Sequence, residues 1–208
     1  MLKLKTSRGM TLIELMVGLT IMAFLLLSGA PSLTEWVRNS QIRSAAESIM
    51  TGLHHARTEA VKRNSSARFQ LTSSLNNDCA ISANGMNWVV NLNASTTPAG
   101  NCGNATSDTV DPLMVQKSVA ASSSAITVTA SQAAVSFNGL GQQTPTKSPD
   151  TVIGTMTIDV TSTSGACLGT DGSGTFRCLR IVVSPAGQAR MCDPSMGTTT
   201  SNAQPTAC

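Results

Sequence analysis

The chain has 208 residues, a formal net charge of +3 at pH 7, 12% charged residues and no tyrosine. This length accommodates one domain of about 140 to 150 residues in addition to an N-terminal segment of membrane-spanning length. The small charge argues against an extended basic stripe, and the polar, weakly charged composition with many β-branched residues is typical of an extracellular β-rich domain.

An apolar segment near the N-terminus is the first predicted element. Leu15 to Thr34 form a run of 20 residues without a charge, about the length that an α-helix needs to cross the hydrocarbon core of a bilayer. Glu14 lies at the start of this run, where a carboxylate costs about 2 to 3 kcal/mol and should have a partner. We expect no nearby residue of this chain to supply that partner.

The residues around Glu14 resemble a known processing site. Residues 9–15, Gly-Met-Thr-Leu-Ile-Glu-Leu, are similar to the cleavage site of type IV pilins and type II secretion pseudopilins. The resemblance implies that a prepilin peptidase cuts between Gly9 and Met10, that Met10 is methylated, and that Glu14 pairs with the N-terminal amine of a neighbouring subunit. It also implies a helix-kinking proline, which is Pro31 here. Met10 replaces the usual Phe and keeps a bulky apolar side chain.

Two other interpretations of the N-terminus compete with this one. Residues 28–30, Ser-Gly-Ala, resemble the cleavage site of a secretory signal peptide, but Pro31 would then be the first mature residue and would obstruct the peptidase. A plain single-span membrane anchor would not explain why Glu14 lies beside the apolar run or why the Arg8-Gly9 junction precedes it. We therefore favour the pilin-like processing site.

Processing divides the chain into four expected parts. They are a cleaved leader over residues 1–9, a transmembrane and assembly helix over 10–34, an amphipathic stalk helix over 35–64 and a β-rich periplasmic domain over 65–208. Lys3, Lys5 and Arg8 supply the whole net charge, and they favour an N-terminus in the cytoplasm. We expect a single-pass protein of the bacterial inner membrane that enters a surface fibre after assembly.

Beyond Pro31, where the missing N–H predicts a bend, the helix continues as an amphipathic stalk. Its apolar residues recur at intervals of three or four, and we expect this stripe to pack on the globular domain. The stripe consists of Leu33, Trp36, Val37, Ala45, Ala46, Ile49, Leu53, Ala56, Ala60 and Val61. His54 and His55 point about 100° apart on a helix, so the two do not form a metal site on one face.

From Ala67 onward the apolar pattern has a period of two, which predicts short β-strands. The predicted strands cover residues 68–71, 87–92, 125–129, 133–137, 151–160 and 178–183. Residues 184–187 separate the last strand from residues 188–191 and predict a hairpin. Residues 93–111 and 142–150 are predicted loops. With the resemblance, this pattern predicts an α+β pilin fold, in which a long kinked N-terminal helix packs on a C-terminal antiparallel β-rich domain.

The six cysteines all follow residue 78. They are Cys79, Cys102, Cys167, Cys178, Cys192 and Cys208. An even number of cysteines in an exported domain predicts disulfides, but the sequence does not choose among the possible pairings. Our expectation is the sequential pairing of neighbours. No Cys-x-x-Cys spacing occurs, which argues against a metal site.

Three later segments look like recurrent parts of the GspH/FimT (FimU-like) branch of minor pilins and pseudopilins. They are residues 55–63, 137–141 and 184–187. The resemblance implies a non-enzymatic subunit that assembles through its N-terminal helix into the type IV pilus or the type II secretion pseudopilus, near the tip. It would support pilus biogenesis or protein secretion. The implied partners are prepilin peptidase, other major and minor pilins or pseudopilins, and the inner membrane, with no cofactor.

An enzyme is not indicated. Both histidines lie on the predicted stalk helix, away from the strand domain, so no histidine is expected beside a nucleophile as in a Ser/His/Asp or Cys/His arrangement. The sequence also lacks the glycine-rich lysine loop that holds nucleotide phosphates.

DNA binding for uptake in natural transformation is the alternative function. Some FimT-like proteins bind DNA through a C-terminal Gly-Arg-x-Arg segment, and the matching residues 187–190 keep only the second arginine, Arg190. Arg177, Arg180 and Arg190 could share a hairpin face. However, the chain from Leu71 onward has five basic and seven acidic residues, which favours ordinary surface arginines.

Overall fold

The computed structural model describes residues 9–92, 97–121, 123–146, 151–196 and 207–208, and for residues 28–31 it describes the backbone alone. The predicted leader therefore lies outside the described residues, except for Gly9. The chain divides into two compact units, Met1–Val37 and Arg38–Cys208. This boundary assigns most of the predicted stalk to the same unit as the strands.

One helix, α1, spans Leu12–Arg63. It ends in a Schellman motif, in which Asn64 adopts a φ of 47° and the N–H of Ser65 donates to the carbonyl oxygen of Ala60 at 3.1 Å. An asparagine tolerates this left-handed position better than most residues, so the chain can leave the helix there. The helix is continuous through residues 28–31, and a bend at Pro31 stays a prediction.

The N-terminal part of α1 exposes its apolar side chains. Its most apolar window has a mean hydropathy of 2.1, and by length and composition α1 is the one helix within the described ranges that could cross a membrane. The exposed side chains include Leu12, Ile13, Leu15, Met16, Leu19, Ile21, Phe24 and Leu27. Water is a poor solvent for such a surface, so lipid or other helices are its suitable environment.

The part of α1 in the second unit buries one face. Its buried residues step by three or four positions and are mostly alanines, which lets the helix backbone approach its neighbours closely. They are Ile42, Ala45, Ala46, Ile49, Leu53, Ala56 and Ala60. The predicted stripe was wrong at its two ends, because the side chains of Leu33, Trp36, Val37 and Val61 are 62%, 68%, 41% and 50% exposed.

Within the described ranges, eight strands form two antiparallel four-stranded sheets. They are β1 (Ala67–Thr72), β2 (Asn87–Leu92), β3 (Met114–Val119), β4 (Ile126–Ala130), β5 (Ala134–Phe137), β6 (Met156–Ser162), β7 (Leu179–Val183) and β8 (Ala189–Cys192). The first sheet has the order β3-β2-β1-β5 and the second has the order β4-β6-β7-β8. The α+β prediction and the β7–β8 hairpin are confirmed.

Two strand predictions need correction. The prediction omitted β3, because Gln116 and Lys117 interrupt the apolar alternation, and this edge strand forms by pairing with β2. The strand predicted over residues 151–160 instead begins at Met156. Thr151 forms only an isolated bridge to Thr146, so residues 151–155 do not belong to the ladder of the second sheet.

The helix contacts the first sheet closely at Gly52. A Cβ atom at this position would lie 2.7 Å from the ring of Phe69 and 2.8 Å from that of Trp88. The rings of Phe69 and Trp88 pack with their centroids 5.9 Å apart, and Trp88 Nε1 donates to Ser48 Oγ on the helix at 3.0 Å. This aromatic pair joins α1 to the sheet.

Three disulfides join cysteines that are neighbours in the sequence. Cys79 pairs with Cys102, Cys167 with Cys178, and Cys192 with Cys208, which is the sequential pairing. The first pair packs with Val89 and Met114 in a small second core, on the side of the first sheet opposite to Trp88 because neighbouring residues of a strand face opposite ways. The third pair ties the C-terminus to β8.

Candidate assembly and interaction sites

Glu14 and Thr11 form a capping box at the start of α1. Thr11 immediately precedes the helix, and its backbone N–H and hydroxyl both donate to Glu14 Oε2, at 3.0 Å and 2.8 Å. The N–H of Glu14 in turn faces Thr11 Oγ1 at 3.4 Å. Such a reciprocal pair satisfies donors that the first helical turn leaves open.

The capping box corrects the expectation that no nearby residue supplies a partner for Glu14. The sequence signal was present, since a threonine followed three residues later by a glutamate and an apolar run is the pattern of a capping box. Both hydrogen bonds from Thr11 to the Glu14 carboxylate go to Oε2. Within the described part of the chain, Oε1 is thus the carboxylate oxygen left for a further donor.

The expected cleavage site precedes the helix and is exposed. Gly9 and Met10 lie outside α1, Met10 is 80% exposed, and a Cβ atom at Gly9 would have no described atom within 4 Å. A peptidase needs an accessible segment that is free of secondary structure. The geometry around the Gly9–Met10 bond meets this requirement.

Three segments singled out in the sequence meet at the carbonyl group of Gly141. Arg57 of α1 donates from Nε to this oxygen at 3.0 Å. Gly187, in the β7–β8 turn, lies so close that a Cβ atom there would overlap the same oxygen, and its φ is 77°. Residues 55–63, 137–141 and 184–187 therefore form one junction, which we call the Gly141 junction.

Side chains of the surrounding loops hold the Gly141 junction in place. Asn138 Oδ1 accepts hydrogen bonds from the N–H groups of Leu140 and Gln142, both at 3.0 Å. The side chain of Gln143 donates to the carbonyl oxygens of Val183 and Ser184 at 3.3 Å and 3.0 Å. Leu140 projects from the junction and is 77% exposed.

The three candidate DNA-binding arginines are only partly brought together. Arg180 on β7 pairs with Asp159 on the neighbouring strand β6, from Nε to Oδ1 at 2.6 Å and from Nη2 to Oδ2 at 3.0 Å. The hydrogen bond to this carboxylate raises the pKa of Arg180. Arg190 lies opposite Val182 in the hairpin, so it shares the outer face of the sheet with Arg180. Arg177 precedes β7, and its backbone N–H donates to Asn39 Oδ1 at 2.9 Å.

A shallow surface pocket of about 290 Å³ lies between α1 and the loop before β3. It is lined by His55, Glu59, Arg63, Thr106, Ser107, Asp108 and Val115. Arg63 bridges Glu59 at 2.7 Å and Asp108 at 3.2 Å, and its hydrogen bond lowers the pKa of Glu59. Across the described ranges, no group of three or more His, Cys, Asp or Glu residues could hold a metal ion.

An exposed apolar helix with the Thr11–Glu14 capping box in its first turn, followed in the chain by a β-rich domain, is the arrangement of a pilin-like subunit. In agreement, a model described as the prokaryotic N-terminal methylation motif matches residues 4–30. A second family model, type II transport protein GspH, matches residues 45–187. The chain therefore belongs to the GspH family, whose members are structural subunits, and its methylation motif implies processing by prepilin peptidase and assembly with other pilins.

Two solved structures are similar to the chain, both crystal structures of the type IV minor pilin FimU from Pseudomonas aeruginosa (strain PAO1). The first has 16% sequence identity and a TM-score of 0.49, over 83% of this chain and 99% of FimU. The second, in another crystal form, has 17% identity and a TM-score of 0.45, over 80% and 99% of the two chains. No curated protein sequence gave a significant match.

Proposed function

We propose that the chain is a minor pilin or pseudopilin that assembles through α1 into a type IV pilus or a type II secretion pseudopilus, near the tip. Prepilin peptidase cuts between Gly9 and Met10 in the inner membrane, and Met10 becomes the methylated N-terminus. The globular domain lies in the periplasm before assembly. The processed chain then moves from lipid into the bundle of helices at the fibre centre.

One observation supports this proposal: the methylation motif coincides with an apolar helix whose first turn holds a carboxylate, Glu14, with one oxygen that no described residue bonds. Glu14 Oε2 is occupied by Thr11, which leaves Oε1 to accept from the N-terminal amine of a neighbouring subunit. A pair of opposite charges at membrane depth offsets the cost of the carboxylate. The repeated use of one such contact between copies or relatives produces an open helical fibre.

Assembly is tested with Glu14→Ala in bacteria that carry the matching fibre machinery. We expect mass spectrometry to find the mature chain beginning at methylated Met10, and immunoblots of sheared fibres to show loss of the variant. Glu35→Ala removes another carboxylate of the same helix, beyond the uncharged run, and is the matched control. Normal recovery of Glu14→Ala in fibres would contradict the charge-pairing account, and a chain that begins at Pro31 would contradict the processing site.

The machine that the subunit serves is tested by deletion of its gene. Loss of twitching motility or of surface pili would assign it to a type IV pilus, and retention of exported enzymes inside the cell would assign it to type II secretion. In each case, complementation with the unaltered chain should restore the phenotype and complementation with Glu14→Ala should fail.

DNA binding is a second candidate, supported by the shared outer face of Arg180 and Arg190. Asp159 compensates the charge of Arg180, so Arg190 is the main electrostatic contributor of this face. Salt-titrated binding of duplex DNA by the mature chain in micelles tests it. Binding that falls steeply with salt and weakens in Arg190→Gln, but not in the helix variant Arg43→Gln, would support DNA uptake. Equal binding by both variants would contradict it.

A further inference from the structure

The two tryptophans of the chain have opposite environments. Trp88 is 2% exposed in the core and donates from Nε1 to Ser48. Trp36 is 68% exposed, and its neighbours on α1, Leu33 and Val37, are 62% and 41% exposed. Residues 33, 36 and 37 lie on one side of a helix. They form an apolar face that we call the Trp36 face.

The position of the Trp36 face along α1 coincides with the end of the uncharged run. This run, Leu15 to Thr34, spans about 30 Å at 1.5 Å per residue, which equals the thickness of the hydrocarbon core. Trp36 follows about 3 Å further along the helix axis. Glu35 and Arg38, the first charged residues after the run, flank Trp36 in the sequence and therefore lie at nearly the same height along the helix axis. If the run crosses the core, Trp36 lies at the depth of the lipid headgroups.

The chemistry of the indole group suits this depth. Its ring is apolar, while its N–H requires an acceptor, and headgroup ester and phosphate oxygens supply acceptors beside the hydrocarbon. Met22 and Leu26, which lie on the same side of the helix as Leu33 at about 100° per residue, are exposed as well. A soluble partner would need a separate apolar pocket, whereas a bilayer covers both surfaces at once.

We propose that Trp36 is an interfacial anchor that binds the headgroup region of the phospholipid bilayer and sets the depth of α1 before assembly. This inference rests on the proposed membrane insertion of the chain. Removal of the anchor lets the helix shift along the membrane normal. A tyrosine, which also combines an aromatic ring with a hydrogen-bond donor, should replace it.

Depth-dependent fluorescence quenching tests the position of Trp36. The mature full chain is placed in phosphatidylcholine and phosphatidylglycerol vesicles that carry bromine at a shallow or a deep acyl carbon. The difference between the unaltered chain and Trp36→Phe isolates the signal of Trp36, and Trp88 serves as the internal reference that no lipid label should quench. We expect shallow bromine to quench Trp36 at least about twofold more than deep bromine, as for an interfacial residue.

Other results would overturn the inference. Vesicle flotation reports membrane insertion separately. If the chain floats with the vesicles but Trp36 is unquenched, or is quenched most by deep bromine, the anchor is refuted while the proposed membrane insertion stands. If bromine leaves Trp36 unquenched and added fibre subunits then shield its side chain, the Trp36 face is a contact between subunits. Failure to float refutes both.

A thiol-labelling experiment separates an anchor from a residue that merely lies near lipid. All six native cysteines are in disulfides, so Ser32→Cys introduces one reactive thiol just inside the uncharged run. Trp36→Ala should raise the rate of its reaction with a water-soluble maleimide by about twofold or more, and Trp36→Tyr should restore the original rate. An unchanged rate in Trp36→Ala would show that Trp36 does not set the depth.

Discussion

Arg57 Nε and the carbonyl oxygen of Gly141 are joined by a 3.0 Å hydrogen bond between residues 84 positions apart. Gly187, which is 130 positions after Arg57 in the sequence, packs against the same carbonyl group. The bond therefore connects the end of the helix, the loop after β5 and the β7–β8 turn. This single backbone group unites elements of both sheets with α1, and it should contribute to the stability of the domain.

The junction predicts a large effect of Gly187→Ala. Gly187 and Gly172 have φ angles of 77° and 78°, so alanine is conformationally strained at both, at about 1 kcal/mol. Only at Gly187 would the new Cβ atom also overlap the Gly141 carbonyl group, while at Gly172 it would have nothing within 4 Å. We expect Gly187→Ala to lower the free energy of unfolding by more than about 3 kcal/mol.

Urea unfolding followed by Trp88 fluorescence, in a Trp36→Phe background, measures this difference. Gly172→Ala is the matched control for the φ angle. Equal losses in the two variants would mean that the close approach to Gly141 does not constrain the turn.

Arg57→Met tests the hydrogen bond itself. A bond from a charged donor to a part-buried carbonyl group contributes about 1.5 to 3 kcal/mol, so the methionine variant should lose a comparable amount of unfolding free energy. Arg43 forms an exposed pair with Glu47 at 2.8 Å on the same helix, and Arg43→Met should cost at most about 0.5 kcal/mol. The same unfolding assay compares them, and a loss in Arg57→Met as small as in Arg43→Met would contradict the role of this bond.

Thr11→Val tests the capping box. The variant keeps the backbone N–H of residue 11 but removes the hydroxyl that contacts Glu14. The first helical turn should therefore be destabilised by about 1 kcal/mol. Amide exchange of Glu14, measured by NMR in micelles, should accelerate by about fivefold. Thr20→Val removes a hydroxyl that bonds the carbonyl groups of Met16 and Val17 inside the helix. It should leave the exchange of Glu14 unchanged, and equal exchange in both variants would refute the cap.

The pKa of Glu59 gives the domain a defined response to acid. The hydrogen bond from Arg63 lowers this pKa below the ordinary value of 4.5. A lowered carboxyl pKa in the folded state stabilises the fold above the unfolded pKa, and this contribution is lost as the pH falls through the folded pKa. The melting temperature of the unaltered chain should exceed that of Glu59→Gln at pH 6, and the difference should vanish in acid below the folded pKa. A pH-independent difference would exclude the ion pair as its cause.

Local patterns predicted the parts of this fold that depend on local physics. The uncharged run and the three-to-four periodicity predicted one long helix, and the breaker residues 184–187 predicted the hairpin that β7 and β8 form. The period-two pattern located most strands. It missed β3, because Gln116 and Lys117 interrupt the apolar alternation and this strand forms by pairing with β2. The ammonium group of Lys117 donates to the carbonyl oxygens of Cys102 and Asn104, contacts that no local pattern encodes.

Intervals of three or four were also insufficient to tell which side of the helix is covered. At about 100° per residue, Leu33 and Trp36 lie on roughly the opposite side of the helix from Ile49, and of these three only Ile49 is buried. The exposure of Trp36, on which its proposed membrane role depends, agrees with this angular position.

The sequence by itself determined the N-terminal apolar helix, because a run of apolar residues and a threonine–glutamate capping pair act over a few helical turns. Tertiary structure alone decided the division into two sheets, the pairing of Arg180 with Asp159 and the convergence on Gly141. Each of these depends on strands or loops that lie far apart in the chain. A backbone carbonyl group such as that of Gly141 has no side-chain signal, so only the folded chain reveals which residues it joins.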